Sequence, residues 1–203
     1  MTAIADFGQG VVLGFSIAAP VGPIGLLCIR RSLEQGAWAG IAGGLGTGLA
    51  DAVYAAVAAF GLTAVSAQVI AVTLPLQVIG IIALVYLGLK AMRQGPAEGA
   101  APAESGHHTL FAQTFLLTLS NPATIISFGA IAAGMGLAGS SPARAAALVT
   151  GTFVGSLAWW IILSFAVASL RTRITPRVLT WINRGAGLLL VGFAVTLAVG
   201  LKL

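Results

Sequence analysis

The chain has 203 residues, of which 58% are hydrophobic and 7% charged, and its mean hydropathy is +1.02. A soluble domain carries about 25% charged residues, so this composition excludes a chain solvated on all sides and points to the bilayer. The formal net charge of +5 is not a nucleic-acid signal, because the ten Lys and Arg residues lie between apolar segments, as loop residues of a membrane protein do.

Six apolar segments follow one another, at about 7–29, 37–62, 69–92, 110–134, 143–169 and 179–201. Each approaches or exceeds the roughly 20 residues that cross a hydrocarbon core. The first lacks a basic leader and continues past Ala18-Ala19-Pro20, so it reads as a retained span rather than a cleaved signal. Pro20, Gly22 and Pro23 lie near its middle. The two prolines have no N–H to donate and clash with the preceding turn, and Gly22 between them gives a helix no support. Non-helical backbone at such depth is tolerated where it is buried or lines a wet cavity.

The second segment carries Asp51, which no other acidic residue accompanies inside a spanning stretch. A carboxylate in hydrocarbon is costly and generally faces a protein interior or a water-filled path. Gly36, Gly40, Gly44 and Gly48 precede it at steps of four, so they and Asp51 share a stripe on which another helix can approach closely. Two readings of Asp51 stand side by side: a coupling or substrate-binding group, or a structural one hydrogen-bonded to Tyr54, Thr47 or a helix break. Tyr54 is close enough along the helix to share its face.

The third segment has no strongly charged face, so it reads as a span and not as an interfacial helix. Gln94 to Thr109 is rich in Ala, Gly and Pro and reads as a flexible linker, with His107 and His108 as a solvated pair. The fourth segment is interrupted by Asn121-Pro122. Asn121 either satisfies the carbonyls freed by that break or contacts a ligand. The fifth carries Gly151 and Gly155, and Trp159 and Trp160 lie too deep in it for an aromatic belt. In the sixth, Arg184 is placed to snorkel to the interface. The lone Cys28 excludes an internal disulfide and a CxxC pair, and no Cys/His cluster has metal-ligand spacing. No metal or cofactor is expected.

Arg30, Arg31, Lys90, Arg93, Arg171, Arg173, Arg177 and Arg184 fall on one side of this arrangement, and Arg144 and Lys202 on the other. The positive-inside rule makes the first side cytoplasmic and places both termini outside. The linker at about 94–109 divides one transmembrane domain, 1–203, into repeats at about 1–93 and 110–203. Three spans per half enter the membrane from opposite sides, and matched proline breaks and the paired Gly44/Gly48 and Gly151/Gly155 are what an inverted repeat leaves in a sequence. The surplus of small residues also predicts a homodimer.

These residues resemble a known family. Gly14-Phe15 followed by Pro20-Val21-Gly22-Pro23 is similar to the opening PGP motif of the LysE/RhtB translocators, although here Val21 precedes Gly22 and Pro20 stands one place early. The glycines ending at Gly48, then Asp51 and Tyr54, look like the family's second span, and Tyr86-Leu87-Gly88-Leu89-Lys90 resembles the end of its third. Ser120-Asn121-Pro122 resembles its fourth-span motif, with Ala123 where the family often has Lys. Asn183-Arg184 with Gly187 and Gly192 resembles its last span. The resemblance covers nearly the whole chain. It implies an all-α membrane protein of six helices in an inverted three-plus-three repeat, with helices one and four broken at prolines. It further implies efflux of amino acids or related small metabolites across a bacterial inner membrane.

Rival classes fare worse. An intramembrane aspartyl protease needs two carboxylates where this chain has one, and a thiol-redox conduit needs paired cysteines. A channel or uniporter shares the broken helices and the buried carboxylate. The expected partners are an amino acid, protons and lipid. The residues expected to bind or couple are Asp51, Asn121, Pro20, Gly22, Pro23, Pro122, Tyr54 and Trp159.

Overall fold

The computed structural model of the chain describes residues 3–20, 22–60, 63–93, 106–121, 124, 127–128, 141–170, 173 and 175–200. The helices that follow are α1 (Ala3–Ala18), α2 (Pro23–Gln35), α3 (Ala37–Ala59), α4 (Thr63–Arg93), α5 (His107–Leu119), α6 (Pro142–Ser169) and α7 (Pro176–Gly200). No strand occurs among the described residues. The chain is an all-α membrane protein: α3 and α6 are each long and apolar enough to cross a bilayer, and α1 with α2 adds a third crossing if the bent pair is one span. The 23 residues of α3 reach about 34 Å at the helical rise, beyond a core of about 30 Å. The 31-residue α4 and 25-residue α7 coincide with the expected third and sixth segments. The expected fourth begins in α5 and runs into residues that lie mostly outside the description.

The junction of α1 and α2 follows from its prolines. Ala19 N still donates to Phe15 O at 3.0 Å, but Pro20 has nothing to give the next carbonyl, and the ladder stops. Pro23 then opens α2 at its first position, where a missing N–H breaks no bond. Gly22 stands as the N-cap, and Leu26 N donates to Gly22 O at 2.9 Å. The two axes differ by 82°. Val21 lies outside the described residues.

Two expectations need correcting here. The first apolar segment does not end at residue 29 in a basic loop: α2 continues to Gln35, and Arg30 and Arg31 are each only 5% exposed. The cause is Glu34, one turn after Arg30, whose Oε1 accepts from Arg30 Nε at 2.8 Å and so compensates charge that would otherwise force the helix into water. The linker also ends early, because His107 and His108 form the exposed first turn of α5.

Gly36 ends α2 and starts α3. Its φ of 92° with ψ of 177° is a conformation in essence reserved for glycine. Its N–H closes α2 on Ser32 O at 3.0 Å, and its carbonyl accepts from Ala39 N at 3.2 Å.

Helix α6 lies between α1 and α3. On one side Gly10 and Gly14 meet the backbone at Leu148, Thr152 and Ser156, while Gly151 and Gly155 meet that of Phe7, Gly10 and Val11. A Cβ at any of these glycines would collide with main-chain atoms. Arg144 and Asp6 close one end of this pair with two hydrogen bonds, Nε to Oδ2 at 2.9 Å and Nη2 to Oδ1 at 3.0 Å. On the other side the α3 ladder faces α6: Gly40 against Ser164 (and Ser32 of α2), Gly44 against Trp160, Gly48 against Phe153 and Ser156. Helix α5 packs on the far side of α3, where Gly46 meets the Phe111 carbonyl and Thr114 Oγ1 lies 2.8 Å from Gly43 O. Helices α4 and α7 pair through Gly88 and Gly187. A cluster that includes Leu27, Leu84, Leu87, Leu110, Leu117 and Leu190 joins that pair to the rest.

Candidate functional site

Asp51 is 1% exposed, at the end of the α3 glycine stripe. Ser156 Oγ of α6, itself fully buried, donates to Asp51 Oδ2 at 2.7 Å. The partners expected from the sequence are engaged elsewhere. Thr47 Oγ1 turns back to Gly43 O at 3.2 Å. Tyr54 OH donates to Leu119 O, and its ring stacks on Phe128 with centroids 5.9 Å apart.

That Tyr54 contact lands where α5 ends. Ser120 N completes the last turn on Leu116 O at 2.9 Å, and Asn121 N turns back to Thr118 O at 3.1 Å. In a regular helix the Thr118 carbonyl would accept from residue 122, which is proline and cannot donate. Asn121 N takes that carbonyl instead, and the neighbouring Leu119 carbonyl accepts from Tyr54 OH. Pro122 itself lies outside the described residues.

Beside this helix end is a cavity of about 20 Å³, lined by Pro23 and Ile24 of α2, Gly80 and Leu84 of α4, and Leu117, Ser120 and Asn121 at the end of α5. Pro23 and Asn121, far apart in sequence, therefore meet across one space. A proline stands at each helix end: Pro122 has no N–H for the Thr118 carbonyl, and Pro23 takes the first position of α2, where none is needed. About 10–15 Å³ accommodates one water, so the cavity is closed to anything the size of an amino acid. Its described walls are apolar but for Ser120 and Asn121, and Ser120 Oγ donates to Leu116 O at 2.7 Å.

The other expected residues sit around this centre. Pro20 is exposed, and a Cβ at Gly22 would meet nothing within 4 Å, so of the first break only Pro23 reaches the cavity. Trp159 is half-buried with its ring edge-on to Phe15, centroids 5.3 Å apart. Its neighbour Trp160 is 3% exposed and packs with Ala18, Cys28 and Ile24 on both sides of the α1–α2 junction. Asp51 does not line the cavity; Tyr54, three residues on, carries the contact from its helix to the α5 end. Among the described residues no group of His, Cys, Asp and Glu could hold a metal ion.

Residues 15–201 match the LysE type translocator family. The chain belongs to that family. The translocator is 28% identical over 197 residues to "Putative amino acid efflux protein YcgF" of Bacillus subtilis, covering 90% of this chain and 91% of that protein. It is 27% identical over 199 residues to "Chemotactic transduction protein ChpE" of Pseudomonas aeruginosa, covering 94% and 96%. No solved structure matches it.

Four residues outside the expected binding and coupling set belong to this description. Ser156 holds the buried carboxylate, and Ser120 and Gly80 narrow the cavity between α5 and α4, where a Gly80 Cβ would come within 2.8 Å of Ser120 Cβ. Trp160, not Trp159, covers Gly44. Ser156, Trp160 and Ser164 recur at steps of four along an apolar helix, the spacing of one face, but that spacing does not say which group the face meets.

Proposed function

We propose that the translocator exports amino acids, neutral ones in preference, across a bacterial inner membrane, and that inward proton movement through Asp51 drives the outward step. One observation carries this reading: the end of α5 and the start of α2 face each other across a cavity. Opposed helix ends of this kind are where secondary transporters hold substrate. The start of α2 has no side-chain cap, so its backbone N–H groups and positive dipole end suit an α-carboxylate. Ile24, Leu84 and Leu117 suit an aliphatic side chain, and no charged residue stands among the described lining to pair with a charged one. The amino acid efflux named for the Bacillus subtilis relative supports the same class of cargo.

Burial disfavours the charged form of a carboxylate, whereas a neighbouring ammonium favours it. Asp51 lies outside the closed cavity, so in this reading opening brings the substrate within its reach. A group exposed to both influences in turn can exchange a proton for a substrate, which is the minimum for antiport. In this reading the chain has six spans, repeats at about 1–93 and 110–203 are inverted copies, and the breaks at Pro20–Pro23 and Asn121-Pro122 correspond. The termini lie outside and the 94–109 linker inside. The glycines of α3 and α6 are occupied within the chain, so a homodimer would use another face, such as that of Gly185 and Gly192, where a Cβ meets nothing within 4 Å.

Purified protein in proteoliposomes tests this directly. Saturable flux of a neutral amino acid, accelerated by a pH gradient, is the expected result. Flux that rises with concentration without saturating would make the protein a pore, and the absence of flux for every amino acid tried would remove the reading. A thermal-shift screen across amino acids selects the one to use.

A further inference from the structure

Helices α1, α3, α5 and α6 are held to one another by backbone-level glycine contacts, by Asp6–Arg144 and by Asp51–Ser156. Helices α4 and α7 are held to each other at Gly88 and Gly187, where a Cβ on either would strike the other's carbonyl oxygen, at 2.8 and 2.6 Å. These close contacts group the helices into two bodies. The boundary between them is mostly leucine, with Leu27 and Leu117 on one side and Leu84, Leu87 and Leu190 on the other, and Gly80 of α4 meets Ser120 at the end of α5 across it. Apolar contact is non-directional, so the leucine part of this boundary can part and close without breaking a directional bond. The cavity lies on the same boundary: Pro23, Ile24, Leu117 and Ser120 form one wall, Gly80 and Leu84 the other.

A polar contact crosses that boundary too. Asn183 Nδ2 of α7 donates to Glu34 Oε1 of α2 at 3.2 Å. Glu34 also accepts from Arg30 Nε at 2.8 Å, and its Oε2 lies 3.8 Å from Arg31 Nη1. Arg30, Arg31 and Asn183 are all about 95% buried. Apolar residues of similar volume generally hold helices together as well as a buried charged cluster does, and the best-attested use of such clusters is to specify a register or a switch. The contact is also incomplete. Glu34 Oε2 and Asn183 Oδ1 are buried without a hydrogen-bond partner among the described residues, so water gained on opening would compensate for the bond lost. Helix α2, which carries Glu34 at one end and the cavity residues Pro23 and Ile24 at the other, has non-helical backbone on both sides, at Ala19, Pro20 and Gly22 before it and Gly36 after it.

We propose that Glu34 and Asn183 are the latch of a gate between the two bodies. Their hydrogen bond holds α7, and with it α4, against α2. Its release lets the α4–α7 pair swing away, and the cavity opens toward the end that carries Arg30 and Arg31. The functional meaning rests on the reading of the cavity as the substrate site, which in its closed form has room for one water only.

The test measures opening without any transported substrate. In a Cys28→Ser background, Ser120→Cys places a thiol in the cavity wall of protein held in lipid nanodiscs, and its rate of reaction with methanethiosulfonate ethylammonium reports access. Asn183→Ala is expected to raise that rate about tenfold or more, the factor that one hydrogen bond to a charged group is worth. Asn183→Leu refills the space but cannot donate, and it should raise the rate as much. Glu34→Gln keeps an acceptor but not its charge, so it should fall between. An unchanged rate in Asn183→Leu shows that the pair merely fills space and overturns the proposal, and this variant decides the matter even if Asn183→Ala does not fold. A protein that passes this test yet exports no amino acid would keep its gate and lose the assigned cargo.

Discussion

Asp51 and Ser156 meet a need that an apolar helix cannot meet by itself. A carboxylate buried at 1% exposure needs a donor, and the hydroxyl of α6 provides one. Asp51→Asn keeps the size and an acceptor for Ser156 Oγ but cannot titrate. It is expected to fold, insert and retain substrate binding while losing flux driven by a pH gradient. An unchanged rate with unchanged pH dependence in proteoliposomes would make Asp51 structural. Ser156→Ala does the reverse. It leaves a buried carboxylate oxygen without its donor, at about 1–3 kcal/mol, so its melting temperature in detergent falls while flux still responds to the pH gradient. Asp51 was legible in the sequence because nothing within an apolar helix satisfies a carboxylate. Ser156 was not, because a hydroxyl in a helix can return to the carbonyl four residues back, as Thr150 and Thr152 do at 2.7 and 2.9 Å. A residue able to satisfy itself does not reveal that it serves another.

The glycine ladder of α3 shows how much of an element a sequence discloses. Steps of four placed Gly40, Gly44 and Gly48 on one face, and they are on one face. Which helix meets that face depends on tertiary packing, and the three contacts are not alike. A Cβ at Gly44 would collide with Trp160 Cβ, an atom fixed to its own backbone, whereas a Cβ at Gly48 would sit 3.6 Å from Phe153 and Ser156, at ordinary contact distance. Gly44→Ala is therefore expected to cost about 1–3 kcal/mol of overpacking. Gly48→Ala should be neutral or slightly stabilising, since alanine is the better helix former. Thermal unfolding of the two variants in the same detergent checks this, and equal melting temperatures would mean that α3 and α6 stand farther apart than these contacts require. Helix α2 was misread for a related reason. An arginine pair after an apolar stretch marks the end of a span in most membrane chains, and here the i,i+4 spacing of Arg30 and Glu34 continues the helix instead.

At the scale of the whole molecule, the charge bias that orients the chain must be weighed with the pairings the fold creates. Of the eight basic residues on the side assigned to the cytoplasm, Arg30 and Arg31 are buried beside Glu34, while Lys90, Arg93, Arg173, Arg177 and Arg184 are exposed, Arg184 with its guanidinium 5.7 Å from the Trp181 ring centroid. On the opposite side, Arg144 is paired with Asp6. The rule counts Lys and Arg rather than net charge, so these pairings leave the eight-to-two bias as it stands, and it predicts that the start of α5 faces the cytoplasm and the start of α6 the exterior. Two single cysteines in a Cys28→Ser background decide it, both at exposed positions. His108→Cys should resist an impermeant maleimide in intact cells and react once the membrane is permeabilised. Ala143→Cys should react without permeabilisation. The opposite pattern would turn the molecule over, place the Glu34–Asn183 contact on the outer face, and assign to it the exit of substrate rather than its entry.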